Sequence, residues 1–163
     1  MKNRKKLVNF AVGAIIAALY VVLTYLASAM GLSSGVIQVR FSEALTILPV
    51  FTPAAIPGLF IGCLVGNVLG GATLPDIIFG SLATLIGAYF TFLLRKRSKF
   101  LAPIPPIAAN TIIIPFVLYY ATGVNLPIPF MMLTVGIGEV ISCGLLGIIL
   151  LSSLQKISIR SHS

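Results

Sequence analysis

Two charged side chains three residues apart, Arg40 and Glu43 in "IQVRFSEALTILP", stand in a chain of which only 9% is charged. A carboxylate accepts N–H groups, and an arginine or a glutamine such as Gln38 donates to a carbonyl. Acceptor and donors so placed could line a pocket for a polar ligand. The alternative is that Arg40 and Glu43, about one helical turn apart, neutralise each other. A second carboxylate, Glu139 in "VGIGEVIS", lies inside an apolar run, where a charge costs roughly 2.5–3.5 kcal/mol even on mild insertion scales. It is expected to face a polar cavity, or to sit protonated or paired at a helix contact. The third acid, Asp76 after Pro75, suits ligand binding and also the first turn of a helix, where negative charge is favourable. Asn67 and Asn110, each within an apolar run, are candidates for interhelical hydrogen bonds. Asn67 has the better depth for a ligand.

The elements that position these groups must lie in a membrane. The chain is 58% apolar with a mean hydropathy of +1.11, far from a domain with a polar surface. Its 163 residues suit one domain, 1–163, and about six spans at roughly 20 residues each. Helices are expected at Leu7–Ala29, about Phe41–Thr52, about Pro57–Gly71, Asp76–Leu94, from Ala102 to about Tyr120, and from about Pro127 to Leu154. The second and third are short for full crossings, so a re-entrant hairpin is open there. "MGLSSG", "TPAAIPG", "GGATLP" and the turn around Gly123 and Asn125 supply the breaks. "APIPP" places prolines in a first turn, where a missing N–H costs little. The segment before "ASA" at Ala27–Ala29 imitates a secretory signal, but its apolar run is long enough to span and reads as a retained helix.

The net charge of +8 could suggest nucleic acid. Its basic residues instead cluster beside apolar runs, in "KNRKK", "RKRSK" and the tail with Lys156 and Arg160, which is how membrane topology is written. Both ends and the Arg95–Lys99 loop are therefore expected on the cytoplasmic side, and six crossings satisfy all three. Arg40, Glu43, Asn67 and Asp76 then fall near the external face. Glu139 falls about 18 Å into the last helix at 1.5 Å per residue. Gly58, Gly62, Gly66 and Gly70 recur every four residues, a face without side chains that suits close helix packing. Ala14 and Ala18 mark a small-residue face on the first helix, for packing within the bundle or for docking another membrane subunit. Cys63 and Cys143 are isolated, and the one histidine, His162, has no partner for a metal. No phosphate-binding loop is present, and no nucleophile, base or metal constellation points to an enzyme.

With those residues in hand, the chain resembles the queuosine-precursor transporter (QueT) family, substrate-binding S-components of energy-coupling factor transporters. "IQVRFSEALTILPVFTPAAIPGLFIGCLVGN", "LPDIIFGSLATLIGAYF" and "VGIGEVIS" carry the resemblance across most of the chain. Val39, where many relatives are expected to have an aromatic, and Pro75 before the aspartate depart from the pattern. The resemblance implies an all-α six-helix membrane bundle in the cell membrane, with its ligand site near the external face. It implies a transmembrane coupling subunit driven by two ATPases, docked through the motif that maps onto Ala14 and Ala18, with no cofactor or metal in this chain. It also implies substrates of the 7-deazaguanine type, carrying a cyano or aminomethyl group. Glu43 or Glu139 would take the ring N–H and amine of such a base, with Gln38, Arg40 or Asn67 on its carbonyl. The other carboxylate, or Asp76, would meet the aminomethyl cation. Phe41, Phe79 or Tyr119 would stack on the ring. An S-component for another small vitamin, or an autonomous facilitator or channel, is the alternative.

Overall fold

A backbone in hydrocarbon has no water to bond, so each spanning segment must satisfy its own N–H and C=O groups. The computed structural model, which describes residues 2–32, 37–121 and 123–160, meets that demand with helices alone. Among the described residues there is no strand. Helix α1 runs Lys2–Ala29. A 3₁₀ helix, Phe41–Val50, follows. Then come α2 (Ala55–Leu69), α3 (Leu74–Leu94) and α4 (Ile104–Ala121). Last is one long helix made of α5 (Ile128–Glu139), a π-helical segment (Val140–Leu146) and α6 (Gly147–Arg160). Ser33, Ser34 and Gly35 of the expected first loop, and His162, lie outside the described residues.

Among the described residues, four stretches are long and apolar enough to cross a membrane: Asn3–Ala29, Leu74–Leu94, Lys99–Ala121 and Ile128–Lys156. Their outward faces are apolar, with Phe10, Ile15, Val22, Leu133 and Ile149 all exposed. The inside is where polarity collects: Ser42, Thr46, Ser81, Thr84, Asn110 and Ser142 are buried. This inversion of the soluble pattern is what a lipid solvent imposes, and the protein is a multi-pass integral membrane protein.

The expected second span is the main departure. Phe41–Val50 is a 3₁₀ helix whose residues from Ser42 to Ile47 are all buried. It packs against α1, α2, α3, α6 and the π segment, as a central plug rather than a lipid-facing rod. Thr46 helps hold its tight turns by donating to the Glu43 carbonyl at 2.6 Å. The plug also changes the depth arithmetic. Glu43, expected near one face, lies at the same level as Glu139, expected far down the last helix.

The glycine ladder brings α2 onto α1. A Cβ at Gly58 would stand 2.6 Å from the Gly13 carbonyl, and one at Gly62 would stand 2.7 Å from Cβ of Tyr20. Gly66 faces Thr24 at 3.4 Å. The bare face thereby sets where Tyr20 and Thr24 stand, and Thr24 donates to Ser42 on the plug at 2.8 Å. Glycine is needed at position 62 because the opposing Cβ belongs to the stiff base of a side chain and has no room to retreat. Gly62→Val is expected to destabilise the protein by about 1–3 kcal/mol through overpacking, read as a lower thermal midpoint in detergent. Exposed Val65→Ala on the same helix serves as the near-neutral control.

Candidate functional site

The first turn of the plug delivers Glu43 into the bundle, where it is 2% exposed. Its Oε1 accepts a hydrogen bond from the Tyr20 hydroxyl, and its Oε2 faces the Cys143 thiol at 3.9 Å. Glu139, 9% exposed at the end of α5, is arranged in parallel. Its Oε1 accepts from Asn110 Nδ2 at 3.0 Å, and its Oε2 from the Cys143 thiol at 3.1 Å. Thr46 Oγ1, whose proton goes to the Glu43 carbonyl, lies 3.4 Å from Cys143 Sγ. Each carboxylate thus has one oxygen pinned from behind and one turned toward Cys143. Glu43, Glu139 and Cys143 each place a ligating atom within 4.8 Å of the others. That is a spacing and a donor set that could hold a metal ion, or accept the N–H groups of a ligand.

The local sequence explains how "VGIGEVIS" builds one wall. Gly138 and Ser142, four residues apart, form a small face that receives the extended stretch before the plug. The Gln38 carbonyl lies so close to Gly138 that a Cβ there would collide with it. The Arg40 backbone N–H donates to Ser142 Oγ at 3.1 Å. The neighbouring positions, Glu139 and Cys143, then turn inward. The π segment begins directly after Glu139, and such widened turns are frequent at functional sites.

Gln38, Arg40, Glu43 and Glu139 all line one cavity of about 30 Å³, with Cys63, Thr84 and Asn110 completing its polar wall. Arg40 faces this space while Glu43 takes its hydrogen bond from Tyr20, so the two are not simply a neutralised surface pair. Asn67 and Asp76 stand just behind the wall. A Cβ at Gly80, which lines the cavity, would lie 3.2 Å from Asn67 Nδ2 and 3.8 Å from Asp76 Oδ1. The three candidate aromatics lie elsewhere. Phe41 is half-buried at the head of the plug. Phe79 lines a separate apolar groove of about 370 Å³ with Ile112 and Phe116. Tyr119 is exposed and packs edge-on against Tyr120 at 5.0 Å. Ala14 and Ala18 are exposed on the face of α1 turned away from α2.

Sequence reasoning missed Tyr20 and the part of Cys143, whereas Asn110 makes the interhelical hydrogen bond expected of it, with Glu139 as its partner. Tyr20 falls on the buried stripe Gly13–Ile16–Tyr20–Thr24–Ala27 of α1, which helical spacing alone would have marked. Cys143 follows Glu139 by four residues and shares its face. Asn110 enters from the opposite side, yet at 1.5 Å per residue across a core of about 30 Å it reaches the level of Glu139.

Residues 10–156 match the family model described as "QueT transporter". A relative from Lactococcus lactis subsp. cremoris (strain MG1363), "Queuosine precursor transporter QueT", is 38% identical over 97 residues. That match covers 60% of this chain and 57% of the relative, so the chain aligns with little more than half of that protein's length. No solved structure matches.

The buried Tyr20–Glu43 contact has a measurable consequence. Tyr20→Phe leaves a buried carboxylate oxygen without its donor, and hydrogen bonds to charged groups contribute about 1.5–3 kcal/mol. The variant is expected to lose that much stability, seen as a lower thermal midpoint in detergent. Tyr25→Phe on the exposed face of α1 should melt like the parent.

Proposed function

We propose, because the chain belongs to the QueT transporter family, that it is a membrane subunit that binds a queuosine precursor and delivers it for uptake. It is a transport protein and not an enzyme. The observation that carries this reading is the convergence of Arg40, Gln38, Glu43 and Glu139 on one cavity inside a bundle whose outer surface is apolar. A 7-deazaguanine is a flat base with several N–H donors and one carbonyl. The carboxylates suit its donors, and Arg40 or Gln38 suits its carbonyl. Asn67 and Asp76, just behind the wall, would adjust it as the ligand enters. A site that bonds every polar edge of its ligand rejects analogues that leave those groups unpaired.

The cavity's roughly 30 Å³ is room for about one or two waters. Ligand pockets usually offer about 300 Å³ or more, so a bicyclic base enters only if the walls part. In this reading the chain makes six crossings with both ends cytoplasmic, as the basic clusters favour, and the cavity opens to the outside. Ala14 and Ala18 would supply the docking face for a transmembrane coupling subunit, because small residues let helices approach closely. Two partner ATPases would supply the energy, and this chain would hold no cofactor of its own.

Two measurements test the proposal. Calorimetry of the purified, folded chain with 7-aminomethyl-7-deazaguanine is expected to show micromolar or tighter binding, and Glu43→Gln should weaken it by about tenfold or more, the factor that 1.4 kcal/mol represents. Absence of heat, or heat only with another vitamin in a panel, would overturn the deazaguanine reading. In liposomes the chain alone should give no flux, with ATP-dependent uptake appearing only when coupling subunits are added. Flux from the chain alone would make it an autonomous facilitator.

A further inference from the structure

We propose that Glu43, Glu139 and Cys143 form an ammonium cradle, which makes the pocket selective for a deazaguanine bearing a primary amine over one bearing a neutral substituent. This rests on the deazaguanine reading above and assigns the ligand group that the two carboxylates share.

Distance decides the assignment. Two acceptors gripping opposite edges of a bicyclic base must stand about 11 Å apart, the ring's width plus a hydrogen bond of about 2.9 Å at each end. Glu43 and Glu139 reach within 4.8 Å of each other. They therefore converge on one donor group or on neighbouring donors of one edge, and do not grip opposite edges of the base. A tetrahedral ammonium donating at about 2.7–2.9 Å sets its acceptors roughly 4.4–4.7 Å apart, a separation that fits within the 4.8 Å limit of the set. The third corner is Cys143 Sγ, which at 3.1 Å from Glu139 and 3.9 Å from Glu43 stands closer than that and has to draw back to admit the cation. Its thiol hydrogen turns aside as the cation arrives, leaving sulfur as a weak acceptor.

The cradle is held open from behind. Tyr20 and Asn110 bond the far oxygen of each carboxylate, so the near oxygens already point at the place the cation takes. Outer contacts of this kind orient a cation's ligands.

Charge separates an ammonium from the neutral exocyclic amine of the base. With both carboxylates ionised, the groups lining the cavity carry two negative charges, and Arg40 is the one lysine or arginine among the described lining residues. Beside a neutral donor a buried carboxylate takes up a proton and loses its charge, whereas an ammonium balances the charge of the lining groups and keeps both carboxylates as acceptors. Arg40 and Gln38 then remain for the carbonyl of the base.

The test compares 7-aminomethyl- and 7-cyano-7-deazaguanine by calorimetry on the full purified chain and on Glu139→Gln. The parent is expected to bind the aminomethyl compound about thirtyfold more tightly or better, the low end for a buried charge pair. In Glu139→Gln that ratio should fall to about threefold or less, because aminomethyl affinity falls about tenfold or more beyond whatever cyano affinity loses. Equal binding of both compounds by the parent needs no variant to interpret, and it would overturn the cradle while leaving the deazaguanine reading intact. So would an equal loss of both ligands in a folded Glu139→Gln, or a metal ion retained at one per chain that competes with the amine. Failure of the parent to bind either compound would overturn the underlying reading, and the cradle with it.

Discussion

A buried carboxylate in a membrane bundle is the constraint around which this structure is organised. Glu43 cannot be left bare in hydrocarbon, where an unpaired ion is unaffordable, so the fold surrounds it. Tyr20 donates from α1, Cys143 approaches from the π segment, and Arg40 stands three residues before it along the chain. Tyr20 is in reach because α1 and α2 touch backbone to backbone along the glycine ladder. Packing, hydrogen bonding and site geometry are therefore one problem with one solution.

The plug is the second half of that solution. A ten-residue 3₁₀ helix is longer than such helices usually run, and its position explains its tolerance. It is enclosed by α1, α2, α3, α6 and the π segment, so its poorer hydrogen-bond geometry never faces lipid. The extended Gln38–Arg40 stretch that leads into it is seated on Gly138 and Ser142. The same stretch of chain thus supplies a donor pair and a carboxylate to one cavity. Meanwhile α4 and α5 close the opposite wall with Asn110 and Glu139.

Much of this was legible in the residues. Charge scarcity singled out Arg40, Glu43 and Glu139, and all three meet in the cavity. The four-residue glycine repeat announced a close helix contact, which Gly58, Gly62 and Gly66 make against α1 and Gly70, at the end of α2, does not. Helix limits were legible to within a few residues wherever proline or glycine broke an apolar run, as at Pro75 and Pro127. Aromatic residues were not legible in this way. Phe79 and Tyr119 are spaced as a lipid-facing residue or a stacking platform would be, and spacing carries no sign of which side faces the cavity.

Composition by itself determined that the chain lives in a bilayer, because a surface this apolar has no other stable solvent. It also determined which few side chains had to be sheltered. Only the tertiary structure decided that Glu43 and Glu139 are neighbours. Their linear depths differ, and it took the extended Gln38–Arg40 lead, with its long rise per residue, to carry Glu43 to the level of Glu139. The partnerships of Tyr20, Asn110 and Cys143 were likewise decided in three dimensions, since each is an ordinary apolar or amide position until a carboxylate from another helix stands beside it.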